Sequence, residues 1–80
     1  MTAKQYCKNN QAIGYASCLG GVEVHGIEYG IDDYVYAVSG AWCNKKSYHR
    51  VKIYYGNNDR SYFRVNGIRV YFDEIIKINQ

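Results

Sequence analysis

From Asp33 to Phe72 the chain alternates with a period of two. That rhythm restricts this half to β-strands, because successive strand residues point to opposite faces. The strand-like stretches are Asp33–Ser39, Tyr48–Tyr55, Ser61–Asn66 and Ile68–Phe72. One parity collects Val35, Ala37, Val51, Ile53, Tyr55, Phe63, Val65, Ile68, Val70 and Phe72, the composition of a core. The other collects Tyr34, Tyr36, Tyr48, Arg50, Lys52, Tyr54, Tyr62, Arg64, Arg69 and Tyr71. This second set contains six tyrosines, four cations and no acid. Tyrosine and arginine bind through stacking, cation–π contact and forked hydrogen bonds, so the second face is the candidate binding surface.

Eighty residues make one domain with a small core, so 1–80 is read as a single unit. Residues 1–21 form an N-terminal helical segment in this reading, and 22–80 an antiparallel meander. The net charge of +3 says less than its distribution. Between Val22 and Asp33 the charges are Glu23, Glu28, Asp32 and Asp33. Between Ala41 and Phe72 they are Lys45, Lys46, Arg50, Lys52, Arg60, Arg64 and Arg69 against Asp59 alone. A basic half after an acidic stretch points to an anionic partner or to docking between copies. The competing reading folds the acidic stretch over the basic strands.

Thr2 is placed to cap a helix running to about Leu19, stopped by Gly20-Gly21. Ala12, Tyr15, Ala16 and Leu19 would share one helical face, and Asn9-Asn10 and Gly14 weaken it. Val22–His25 reads as a short strand and Gly26–Gly30 as a turn-rich connection, with Ile27 and Tyr29 anchored on the core. Asn44–Ser47 is a loop and Gly56–Asp59 a hairpin turn. Asn66-Gly67 is a type I′ hairpin signal. Asp73-Glu74 interrupts the alternation, and Ile75, Ile76 and Ile78 resume it as a short turn and a last strand.

Gly30-Ile-Asp-Asp-Tyr-Val-Tyr-Ala resembles the lead-in to the first strand of the small barrels of the Src-homology-3 and Tudor type. Phe72-Asp-Glu-Ile-Ile resembles their closing turn and last strand. The resemblance covers about fifty residues and implies a mainly β fold: an antiparallel meander in a small Src-homology-3-like barrel with a short N-terminal helix. Proline-motif recognition is not carried over, since the Ala-Leu-Tyr-Asp-Tyr and paired-proline hallmarks are missing. The alternative is an open antiparallel α+β sheet with the helix on one side. A closed barrel would spread the tyrosine face around its outside; an open sheet would keep it as one patch.

Few residues offer reaction chemistry. Cys7, Cys18, His25, Cys43 and His49 lack metal-ligand spacing. Cys43 and His49 lie at opposite ends of a loop and could approach, without an oxyanion signature or a third residue to orient the base. Gly20-Gly21 lacks the spacing of a phosphate-binding loop. The reading is therefore a non-enzymatic protein with no cofactor and no metal. Three cysteines without a secretory leader, and no transmembrane-length run, place it in the cytoplasm and away from membranes.

Small size, free thiols, the absence of proline and abundant Asn, Ile, Lys and Tyr are similar to accessory proteins of bacterial viruses, anti-CRISPR proteins among them. That resemblance of type implies a virus-encoded inhibitor acting inside a host bacterial cell. Its partner would be a host protein or protein–nucleic-acid complex, held by the Tyr/Arg face. Arg50, Lys52, Tyr54, Tyr62, Arg64, Arg69 and Tyr71 lead the candidate set, with Tyr34, Tyr36 and Tyr48 beside them. Trp42 is either a further anchor or a rim residue closing one end of the core. The alternative is direct binding of nucleic acid or a nucleotide, because bases stack on tyrosine and arginine contacts phosphates. A homodimer joining the acidic stretch of one copy to the basic face of another is the third reading.

Overall fold

The computed structural model describes residues 1–77; Ile78, placed above in the last strand, lies outside the described residues. One helix, α1 (Ala3–Asn9), precedes seven strands: β1 (Gly14–Ala16), β2 (Val22–Glu28), β3 (Tyr34–Ser39), β4 (Ser47–Tyr55), β5 (Ser61–Val65), β6 (Ile68–Tyr71) and β7 (Ile76–Lys77). Short 3-10 turns at Asn57–Asp59 and Phe72–Glu74 lead into β5 and β7.

Thr2 caps α1 as its sequence position implies. Its Oγ1 accepts from the Gln5 N–H at 3.2 Å, and Gln5 Oε1 accepts from the Thr2 N–H at 3.0 Å. The helix is much shorter than the span to Leu19. At Asn10 the backbone turns extended, and the Asn10 side-chain amide donates to the Tyr6 carbonyl at 2.8 Å. Asn10 thus ends the helix by offering the Tyr6 carbonyl a side-chain donor. Tyr15 and Ala16, expected on a helical face, lie in β1. That strand pairs antiparallel with β2 (Tyr15 opposite Glu23) and with β7 (Tyr15 opposite Ile76).

The second strand also runs longer than its sequence signal. The segment Gly26–Glu28 continues β2 through a register shift between Val24 and Gly26. His25 sits at this bulge, where its Nδ1–H donates to the Asn10 carbonyl at 2.7 Å. The bulge skips one residue in the pairing, which keeps Val24 and Ile27 opposite Ala37 and Val35 of β3.

All neighbouring strands are antiparallel, in the order β6-β5-β4-β3-β2-β1-β7. The sheet curls into a half-barrel, and no ladder joins β6 to β7 among the described residues. At this coarse level, a small mostly-β antiparallel half-barrel, it is consistent with a Src-homology-3-like fold. Val22, Val24, Val35, Ala37, Ile53, Phe63, Val65 and Val70 are buried inside the curl. Phe72 and Ile75 pack against them from the closing turn. Two expected core residues sit outside: Tyr55 is 66% exposed and Ile68 42%. Both end their strands, beyond the reach of the curl. Tyr29, expected as a core anchor, is also exposed, whereas Ile27 packs on the core. No helix is long and apolar enough to cross a membrane among the described residues.

Candidate functional site

The strand register brings the alternating Tyr/Arg/Lys residues onto the outer face of the curl. Tyr34 lies opposite Lys52, Tyr36 opposite Arg50, and Val38 opposite Tyr48. Tyr54 faces Tyr62, Tyr62 faces Tyr71, and Arg64 faces Arg69. Cross-strand partners in an antiparallel ladder share a face, so the ten residues form a continuous strip from β3 to β6. Packing and charge then divide it into three zones.

The first zone is covered. Helix α1 lies across β3 and β4, and the Tyr6 ring stacks on Tyr36 with centroids 3.9 Å apart and planes at 18°. Tyr36 is 7% exposed and Tyr48 is half-buried in the same cluster. Cys7, at the helix centre, packs with Val38, and burial pushes its thiol pKa up. Tyr36 and Tyr48 are thus parts of a second small core. β3 is buried on both faces, which explains why Val38 interrupts the polar parity there.

The second zone is neutralised from within. Glu28 reaches Arg50 at 3.5 Å and accepts a hydrogen bond from the Tyr36 hydroxyl. That bond raises the Tyr36 phenol pKa. Arg50 in turn lies over the Tyr34 ring, 3.8 Å from its centroid. Asp32 reaches Lys52 at 3.6 Å. Asp33 accepts from the Tyr55 hydroxyl and, at 3.1 Å, from the Gly30 N–H, and these bonds hold its carboxyl below the usual range. Glu23 lies 3.2 Å from His25. Every acid of the 22–33 stretch is therefore engaged inside the chain. The fold-over reading describes this zone.

The third zone is open. Tyr54 and Tyr62 stack at 5.5 Å with planes at 19°, and Tyr71 follows Tyr62 at 5.5 Å and 53°. Arg69 sits 5.0 Å over the Tyr62 ring, and a hydrogen bond with Tyr71 raises its pKa. Arg64 and Arg69 are exposed. Among the described residues neither has a carboxylate within 4.0 Å. Trp42 stands apart: it is 58% exposed, edge-on to Tyr15 of β1, and packed over Gly21. It lies beside β1, away from β5 and β6.

Arg60 belongs to the open zone and was absent from the sequence candidates. Its guanidinium lies 3.9 Å over Tyr71 and holds Asp73 by two hydrogen bonds of 2.8 and 3.1 Å. The signal was present, since Arg60 shares the parity of Tyr62 and Arg64. A cavity of about 390 Å³ opens here between Asn57, Asn58, Arg60, Tyr62, Arg69 and Tyr71. A second cavity, about 520 Å³, opens at the mouth of the curl over Ile27, Ile53 and Phe72, walled by Tyr29 and Tyr55. Beside it Ile31 is fully exposed on a loop pinned by Asp33.

The reactive side chains do not assemble. His49 Nε2 lies 2.8 Å from Ser39 Oγ, and burial lowers its pKa. Cys43 packs against Gly20 instead of approaching His49. No three metal-ligating side chains converge among the described residues. Comparison with family models, with curated proteins and with solved structures finds no match.

Proposed function

We propose that this chain is a non-enzymatic binding module that docks on a partner protein through the open zone of its outer face. The observation that carries the reading is the Tyr54–Tyr62–Tyr71 ladder, interleaved with Arg64 and Arg69 and left uncovered by α1. A ladder serving the sheet alone would gain about 0.2–1 kcal/mol per cross-strand pair. Truncating a hot-spot tyrosine or arginine at an interface costs on the order of 2–4 kcal/mol. The contrast between the covered and open zones supports the interface: where the aromatic strip serves the fold, a helix buries it. By its resemblance of type, the module is a virus-encoded inhibitor that blocks a host defence complex in the bacterial cytoplasm. Capture from a bacterial lysate tests this. Tyr54→Ala with Tyr62→Ala abolishes capture of partners held by the wild type; unchanged capture by a folded double variant refutes the docking face.

The second reading, binding of a nucleotide or single-stranded nucleic acid, draws on the cavity between Asn57, Asn58 and the Tyr62–Tyr71 pair. The amides could read a base edge, the rings could stack on it, and Arg60 and Arg69 could meet phosphate. An anisotropy titration with labelled single-stranded RNA, DNA and nucleotides separates the two readings. Absence of binding at low salt removes the second.

A further inference from the structure

The cations of the basic strands are unequally treated. Arg50, Lys52 and Arg60 each have a carboxylate within 4.0 Å. Arg64 and Arg69 have none among the described residues, although they are direct cross-strand partners on one face. Like charges placed opposite one another destabilise a sheet. On β4 both cations are paired, whereas the β5–β6 pair is bare. Arg69 also lies over the Tyr62 ring, 5.0 Å from its centroid. Two arginines on directly paired strand positions of one face, one of them oriented by a ring, supply the donors for an oxyanion that offers two oxygens.

The geometry points to Arg64 and Arg69 as a clamp for a carboxylate presented by an Asp or Glu side chain of the partner protein. This rests on the docking reading of the same face. A nucleic-acid backbone fits less well. It would need a track of cations along the strand, and Arg50 and Lys52 already face Glu28 and Asp32, which a phosphate would have to displace.

The test is a titration of isotope-labelled protein with a blocked tetraglutamate peptide at constant ionic strength, reading the arginine Nε–Hε resonances by NMR. The clamp predicts saturable shifts at Arg64 and Arg69, with Arg50 left in place. Arg64→Gln with Arg69→Gln abolishes the response of β5 and β6. Uniform, non-saturating shifts, or an unchanged response in the double variant, overturn the clamp. A parallel titration with oligothymidylate overturns it if binding is tighter than the peptide's and its log–log salt slope is steeper than the value for two phosphate contacts, about −1.4. In the free protein, Arg64→Glu, which leaves the Arg69–Tyr62 contact in place, raises the melting temperature by converting repulsion into attraction; a fall shows a structural pair and overturns the clamp. Lysate capture separates the two claims. Loss with the tyrosine variants but not with the arginine variants leaves the docking face standing and removes the clamp.

Discussion

At the residue scale, two glycines show how differently one residue type can act. Gly67, with Asn66, forms the β5–β6 turn at φ +81° and +53°, the left-handed pair a type I′ turn needs. A Cβ at Gly67 would meet nothing within 4 Å, so Gly67→Ala isolates backbone strain and costs about 1 kcal/mol by chemical denaturation. Gly26 has no such conformational demand. A Cβ there would strike the Tyr6 hydroxyl and crowd its ring at 3.1 Å. Gly26→Ala therefore lifts Tyr6 from Tyr36, with an expected cost of about 1–3 kcal/mol for overpacking. Loss of the Tyr6 ring-current shifts in the NMR spectrum would identify the cause. His49 supplies a third test. Burial lowers its pKa in the folded state from 6.5, so the unfolded chain binds the proton more readily. The stability His49 confers is complete above about pH 6.5 and declines as pH falls through the depressed folded value. His49→Gln flattens the dependence of melting temperature on pH in that window; an unchanged slope contradicts the assignment.

At the element scale, strand rhythm was legible and burial of the second face was not. The spacing of Tyr62, Arg64, Arg69 and Tyr71 gave β5 and β6 to within a residue, because alternation and the Asn66-Gly67 turn act locally. Helix α1 was overextended because Ala12, Tyr15, Ala16 and Leu19 mimic a helical face. Tyr15 and Ala16 instead satisfy the edge of β2. Nothing local foretells that a seven-residue helix crosses β3 and β4, since Tyr6 and Tyr36 are thirty positions apart. Tyr6→Ala tests that element. It removes a stacked ring and part of the second core, so we expect about 2 kcal/mol of destabilisation. Faster hydrogen exchange should appear in α1 while the amides of β5 and β6 stay protected.

At the scale of the whole molecule, the curl of the sheet decides which residues can serve a partner. Most of one parity enters the core, and α1 covers Tyr36 and Tyr48 of the other. Glu28 and Asp32 then pair with Arg50 and Lys52. The surviving surface is the β4–β6 flank, where Tyr54, Tyr62, Arg64, Arg69 and Tyr71 converge. The mouth of the curl, with Tyr29, Ile31 and Tyr55, is the competing surface. Hydroxyl-radical footprinting of the captured complex distinguishes them most directly. The docking account predicts protection of Tyr54, Tyr62 and Tyr71, with Tyr29, Ile31 and Tyr55 as reactive as in the free protein. Protection confined to Tyr29, Ile31 and Tyr55 would contradict it.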